Sequence, residues 1–300
     1  MIGNKRSSGN GRRPAWLKIR LQTGENYRAL KKLVSGKNLH TVCQAAQCPN
    51  IYECWENRSA ALMILGDVCT RSCGFCAVET GRPPGYDQLE PVRVAQAVRA
   101  MGLRHCVITS VNRDELPDGG AEIWAATIRQ IHRQVPGCVV EVLVPDFQGD
   151  RKAIDQVIAA QPEIFAHNLE TVPRLYGRVR PQADYRQSME VLEYAVQQGL
   201  TVKSGIMVGL GEREAEVVRL LEDTVATGTS LFTIGQYLQP TPANLPVQRF
   251  VDPDEFERYH EMGIRLGYKS VASGPLMRSS YHADQQAKTV TDIPRQATIG

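Results

Sequence analysis

Aromatic residues are scarce, at 6% of the chain, and no apolar run approaches 18 residues. The second absence excludes a membrane-spanning helix. Acid is nearly missing from one end: residues 1–40 hold ten Lys or Arg against a single Glu. The other 260 residues carry 25 basic and 31 acidic groups, so the formal net charge of +3 is a property of the N-terminus alone. A basic arm can meet nucleic acid, a membrane or an acidic protein. The plain alternative is a solvated tail over residues 1–14. With neither an aromatic-rich binding face nor a zinc finger beside it, nucleic acid is not the expected partner. The opening Met1-Ile2-Gly3-Asn4-Lys5-Arg6 lacks the apolar core of a secretory signal. It is basic and serine-bearing like an organelle transit peptide, but short, and chain that reads as folded soon follows. The expected location is cytoplasmic, with no membrane partner. There is no internal repeat and no low-complexity tract.

The chain has 300 residues, 42% of them hydrophobic. That suits one α/β barrel of about 200–250 residues plus extensions. Twenty-five Gly and 17 Pro recur between apolar runs, as short loops require. A basic helix is expected over residues 25–38 and irregular chain over 39–59. Then strands and helices alternate. Strands are predicted at 61–66, 105–109, 139–144, 164–169, 201–208 and 231–235, with a short last one at 270–272. Helices are predicted at 92–101, 121–135, 151–160, 185–198, 214–227 and 253–266. Apolar strands alternating with helices imply a covered parallel sheet. Periodicity alone does not separate an open sheet from a barrel. Polar groups, however, gather just after strands, at Ser110–Asp114, at His167–Glu170 and at Gln236-Tyr237, as on the active face of a barrel.

Eight cysteines stand at 43, 48, 54, 69, 73, 76, 106 and 138. A disulfide framework belongs to smaller secreted domains, so crowded cysteines in this chain read as metal ligands. Cys106 and Cys138 sit in apolar runs and are assigned to the core. Cys69-Thr-Arg-Ser-Cys73-Gly-Phe-Cys76 directly follows the first strand. A zinc site would want a fourth ligand from a second knuckle, and none follows at that distance. Three thiolates suit a [4Fe–4S] cluster with one iron left open to a substrate. Gly74 permits the tight turn, and Phe75 can shield the cluster.

A Cys-x3-Cys-x2-Cys loop after the first strand of a βα repeat resembles the radical S-adenosylmethionine superfamily. Within it, Met63–Val78 and the second set, Cys43-Gln-Ala-Ala-Gln-Cys48-Pro-Asn-Ile-Tyr-Glu-Cys54, closely resemble the lipoyl synthase family. So do Ile108–Gly120, His167–Tyr176, Val208–Glu212, Thr233–Leu238 and Gly274–Tyr281, over about residues 14 to 285. Mild departures fall at Asn112, where Asp is as frequent, and at Glu115, where Asp is expected.

The resemblance implies a partial (β/α)6 TIM-like barrel over residues 60–272. Residues 1–59 would form an extension carrying the auxiliary-cluster cysteines, and 273–300 a segment capping that cluster. The Cys69/Cys73/Cys76 cluster would bind S-adenosylmethionine and split it to a 5′-deoxyadenosyl radical. The Cys43/Cys48/Cys54 cluster would be the sulfur source. Two sulfurs would enter at C6 and C8 of an octanoyl group on a protein lysine. Implied partners are octanoylated carrier domains of 2-oxoacid dehydrogenase acyltransferases and of the glycine-cleavage system. An electron donor such as ferredoxin or flavodoxin and an iron–sulfur cluster delivery protein are implied too. The acidity of such carriers would suit the basic N-terminal arm.

A second cluster with three cysteines lacks one ligand. Cys106 and Cys138 are poor candidates in their apolar runs. By resemblance the ligand is a serine of Arg278-Ser279-Ser280, taken as Ser280 with Ser279 the runner-up. Arg278 would influence charge there, and ordinary turn serines are the plain alternative. Asp118-Gly119-Gly120 resembles the loop that holds the methionine amino group, although a turn before a helix explains it equally well. Asn168 and Glu170 alternate after a strand and can face the interior, to hold ribose hydroxyls or a substrate lysine, or merely to brace a loop. Gly209, Gly211 and Glu212 are a weak glycine-rich signal that would let backbone approach the cofactor. His105, His132 and His260 read as structural. Two competing readings are biotin-synthase-like sulfur insertion, which the place of the extra cysteines disfavours, and a non-catalytic iron–sulfur module, which leaves the barrel unexplained.

Overall fold

The computed structural model describes residues 14–18, 23–36 and 39–290. Its centre is β1 (Ala61–Ile64), α1 (Glu90–Met101), β2 (His105–Ser110), α2 (Ala121–Gln134), β3 (Val139–Leu143), α3 (Arg151–Ile158), β4 (Ile164–Ala166), α4 (Tyr185–Gln197), β5 (Thr201–Val208), α5 (Glu214–Ala226), β6 (Leu231–Gln236), α6 (Pro253–Leu266) and β7 (Ser270–Gly274). The strands pair in chain order, and every ladder from β1 to β7 is parallel. Residues of β1, β4 and β6 are buried throughout, as strands covered on both faces must be. Local chemistry sets the helix limits. Asp150, Asp184 and Asp252 accept backbone N–H bonds at the starts of α3, α4 and α6. Gly102 and Gly267 end α1 and α6 in the left-handed conformation.

Among the described residues no ladder joins β1 to β7, so the fold is a partial barrel. The two extensions meet across the gap. His40–Thr41 pairs antiparallel with β1. The Asn50 amide donates to the Leu276 carbonyl at 2.7 Å, and the Tyr281 hydroxyl donates to Glu53 at 2.9 Å. Gly235 on β6 makes room for this closure, because a Cβ there would collide with the Met277 carbonyl. The chain then dives beneath the strands. The short helix Ala283–Ala287 packs Ala287 against Val139, Ile164 and Leu231, which begin β3, β4 and β6.

Several elements differ from expectation. Residues 39–59 are not irregular: they hold short helices at Val42–Ala45 and Ile51–Glu56. Thr41 caps the first by accepting from the Gln44 N–H, and buried Trp55 anchors the second. Capping and one aromatic anchor act over too few residues to leave a periodic signal. The basic helix is Glu25–Gly36; positions 37–38 and the basic arm before residue 14 lie outside the described residues. The strand expected at 164–169 stops at Ala166, and Glu170, at φ 64°, regains contact with β5 through a bridge to Ile206. Cys106 and Cys138 are buried in the core, with sulfurs 3.8 Å apart.

Candidate active site

The loop after β1 is clamped at every side. Its two ends pair with each other, Val68–Cys69 against Glu79–Thr80. Inside, the Arg71 guanidinium donates to Asp114 at 2.7 and 2.9 Å and to Asp146 at 2.7 and 2.8 Å. Arg71 and Asp146 are buried. Burial pushes the Asp146 carboxyl up, but the Arg71 hydrogen bonds and charge outweigh it and hold it at about 2. The Arg71 pKa is raised in turn by both carboxylates, against burial. Gly74 donates to the Val179 carbonyl and accepts from the Leu245 N–H, each at 2.9 Å, and the Leu245 side chain leaves no space for a Cβ. The Asn244 amide donates to the Cys76 carbonyl at 2.8 Å. The Cys69 sulfur accepts from the N–H groups of Asn112 and Arg71 at 3.3 and 3.4 Å.

The second triad is built by the two short helices of the N-terminal extension. Cys43 lies in the first, Cys48 follows it, and Cys54 lies in the second. Burial, with Cys48 beside it, pushes the Cys43 thiol up to about 11. Burial, then Cys43 and Cys48, raise Cys54. In the first loop burial raises Cys73 against the pull of Arg180, and burial with Cys73 and Cys69 brings Cys76 to about 11. Such thiols become ligands when a cationic centre displaces their protons. Among the described residues no three His, Cys, Asp or Glu side chains converge on a single metal ion. A cubane cluster binds its thiolates on separate irons, so its ligands stand further apart than those of one ion. Within each set the thiols lie near enough to raise one another's pKa, as thiols that share one cluster must, so both sets are compatible with that group.

Members of both cysteine sets reach one space. A cavity of about 280 Å³ inside the barrel is lined by Phe75 and Cys76 from one loop and Cys43 and Cys48 from the other. Asn168, Glu170, Arg278, Ser279 and Ser280 line it too, among apolar Val42, Val107, Leu143 and Ile206. The Asn168 amide donates to Glu170 at 2.9 Å and to the Ser279 hydroxyl at 2.8 Å. Burial raises the Glu170 carboxyl, with Arg180 and Arg278 opposing. Burial lowers the Arg278 guanidinium pKa, with Cys48 and Glu170 opposing.

Seven of the sequence-derived positions are not in this lining: Cys54, Cys69 and Cys73, which stand behind Cys43, Cys48 and Cys76 in their sets, and Asp118, Gly119, Gly209 and Gly211. Asp118 accepts from the N–H groups of Gly120 and Glu122 at 2.9 and 2.8 Å, capping the start of α2. It borders a separate open depression with Tyr86 and Leu116. Gly119, at φ 58°, packs on Phe147. Gly209 and Gly211 take left-handed turns after β5, and Glu212 accepts from the Gly209 and Leu210 N–H groups at 2.6 and 2.9 Å. Sequence reasoning missed the Arg71 clamp. Its signal was an arginine between Cys69 and Cys73 and two aspartates just after strands. It also missed Lys203 and Glu141, which read as ordinary strand residues.

The chain resembles known proteins along most of its length. The family model described as the Radical SAM superfamily matches residues 63–224. The N-terminal domain of lipoyl synthase matches residues 3–48. The chain is 58% identical over 298 residues to a lipoyl synthase of Rubrobacter xylanophilus, covering 99% of this chain and 92% of that one. It is 54% identical to that of Thermus thermophilus, covering 91% and 86%. It is 49% identical to the mitochondrial lipoyl synthase of Nematostella vectensis, covering 91% and 94%. Among solved structures the fold is similar to Streptococcus suis SuiB bound to S-adenosylmethionine, at TM-score 0.54 and 10% identity over 71% of this chain and 49% of that one. It is also similar to methylornithine synthase, at TM-score 0.52 and 16% identity over 82% and 73%. At these identities the structural likeness shows the fold alone.

Proposed function

This chain belongs to the lipoyl synthase family of the radical S-adenosylmethionine superfamily, and from that premise we propose how its residues divide the work. The reaction is radical insertion of sulfur at C6 and C8 of a protein-bound octanoyl-lysine. Cys69, Cys73 and Cys76 hold the cluster that takes S-adenosylmethionine. Cys43, Cys48 and Cys54, with Ser280, hold the auxiliary cluster. When bound, these groups supply a radical that removes hydrogen from carbon and the sulfur that replaces it.

The observation that carries this reading is the shared cavity: Cys76 of one triad, with its neighbour Phe75, opens on the same space as Cys43 and Cys48 of the other. An acyl chain lying there meets both. Its apolar wall excludes water from a reactive carbon. Asn168 and Glu170 form a hydrogen-bonded polar pair in its lining, suited to sugar hydroxyls or a lysine amide. The Arg71 clamp holds the first loop still while electrons and methionine come and go. Between the adjacent serines, Ser280 is favoured. The Ser279 hydroxyl is already bonded to Asn168, whereas Ser280 has no side-chain hydrogen bond among the described residues and lines the cavity. Asp118, Gly119, Gly209 and Gly211 are assigned a supporting role in cofactor binding, as capped or tight turns beyond the strand ends.

Residues 1–59, 60–272 and 273–300 serve as cysteine extension, barrel and capping segment. The enzyme acts on lipoyl-carrier proteins. We assign 2-oxoacid dehydrogenase acyltransferases and the glycine-cleavage carrier as acceptors, ferredoxin or flavodoxin as donor, and a cluster delivery protein as the route of repair. We assign a cytoplasmic site of action; separately, no helix among the described residues is long and apolar enough to cross a membrane. The test is anaerobic turnover with an octanoyl-lysyl peptide, S-adenosylmethionine and a reductant, followed by mass spectrometry. Two added sulfurs per peptide are expected; 5′-deoxyadenosine without any thiolated peptide would overturn the reading.

A further inference from the structure

Beneath the cavity a lysine and a glutamate are buried side by side. Lys203 on β5 and Glu141 on β3 lie on either side of β4, and their side chains meet inside the barrel with Nζ and Oε1 2.8 Å apart. Their side-chain exposures are 0% and 1%. A buried ion pair is a poor stabiliser, since a well-packed apolar pair of similar volume does as well or better. The pair therefore calls for a reason beyond stability, and the second bond of the ammonium supplies one. Lys203 Nζ also donates to the Ser279 carbonyl at 2.6 Å. That carbonyl belongs to the peptide that leads into Ser280. The other Glu141 oxygen takes the His105 ring at 3.2 Å, so the carboxylate is held at both oxygens and in turn holds the lysine. Asn168 bonds the Ser279 side chain. Below, the Gln286 amide anchors the same segment to the Phe232 carbonyl at 3.1 Å.

We propose that Lys203, oriented by Glu141, is a positioning residue for the auxiliary cluster: it fixes the Ser279–Ser280 peptide so that the Ser280 hydroxyl faces the Cys43/Cys48 end of the cavity. This rests on the reading of Ser280 as ligand. A long side chain rooted in the barrel wall is suited to the task. The capping segment otherwise has loop geometry here, and a ligand oxygen must be held within about 0.5 Å to bind one iron. The bond is made to backbone, so the serine side chain stays free.

The test uses fully reconstituted protein and reads the auxiliary cluster by iron-57 Mössbauer spectroscopy, with lipoyl product measured in parallel. The double variant E141L/K203M removes both charges together and with them the donor to the Ser279 carbonyl. E141Q keeps that donor. Ser280→Ala is the reference. The double variant is expected to carry the altered spectrum of Ser280→Ala, with at least a tenfold loss of lipoyl product, while E141Q keeps the parent spectrum. A parent-like spectrum in the double variant, with Ser280→Ala altered, overturns the role of Lys203 and leaves the serine ligand standing. A parent-like spectrum in Ser280→Ala overturns the ligand and the proposal together. If the double variant does not fold, Lys203→Gln replaces it, since it is too short to reach the carbonyl. It is expected to show the same altered spectrum, and a parent spectrum there overturns the proposal.

Discussion

Arg71 and Asp146 form a two-pronged, buried ion pair at 2.7 and 2.8 Å, with Arg71 seated midway between two of the cysteines assigned to the first cluster. Asp114 shares the same guanidinium at 2.7 and 2.9 Å. One planar cation thereby links the loop after β1 to the ends of β2 and β3. A lysine cannot reproduce that fork.

Arg71→Lys is expected to keep the fold but loosen the loop, lowering iron at the first site and 5′-deoxyadenosine formation by tenfold or more. Asp146→Ala should be harsher, because one partner of a buried pair is removed: about 3–5 kcal/mol of stability. Thermal unfolding and iron analysis, run side by side, check both. An Arg71→Lys protein with unchanged iron and unchanged cleavage would show that the clamp is dispensable.

The two triads should separate by function. Cys73→Ala is expected to abolish cleavage of S-adenosylmethionine. Cys48→Ala should leave some cleavage while stopping thiolation, and either should lower the iron count from about eight to about four per chain. Cys106→Ala and Cys138→Ala should keep full iron, because both side chains are buried in the core beside each other, apart from either cysteine set. Anaerobic iron and sulfide analysis with separate assays for 5′-deoxyadenosine and lipoyl product reads all four. Loss of cleavage in a folded Cys48→Ala protein would refute the division.

Adjacent serines should respond differently. Ser280→Ala is expected to bind S-adenosylmethionine normally yet make little lipoyl product. Ser279→Ala loses its bonds to Asn168, worth about 1 kcal/mol, and should retain most product. Equilibrium binding and product formation on the two variants decide the matter, and a reversed pattern would move the ligand to Ser279.

His167 predicts a pH dependence. Its ring is buried, its Nδ1 lies 2.9 Å from the Val144 carbonyl, and its Nε2 has no partner among the described residues. Burial, with Arg180 adding to it, brings its pKa down to about 4. The unfolded chain takes up a proton near pH 6.5 and the folded one does not until about 4. Between these values the unfolded state binds more protons, so stability rises with pH. The contribution is complete above pH 6.5 and is lost progressively as pH falls toward 4, at most about 3 kcal/mol. His167→Gln should flatten that part of the profile. Urea unfolding of cluster-free protein at pH 5 and pH 7.5 measures it; equal slopes in parent and variant would rule it out.

Much of this protein was legible in its residues one after another. Alternating apolar strands and capped helices marked the six βα units, because each is a local pattern of a few residues. Cys69, Cys73 and Cys76 announced a cluster because three thiolates on one tight loop cannot avoid one another. The spacing of Cys43, Cys48 and Cys54 pointed to its family. Other features depended on chain far apart. That the Ser279 side chain is engaged follows from Asn168, 111 positions away. That Asp118 caps α2 instead of lining the cavity depends on where the strand end points. Lys203 and Glu141, 62 positions apart, become a pair only when β4 lies between their strands. Composition and spacing act over short distances along the chain, and so they made the cysteine sets and most of the secondary structure legible. The cavity, its polar pair and its buried supports are made by side chains converging from different strands, and only the folded barrel decides which of them meet.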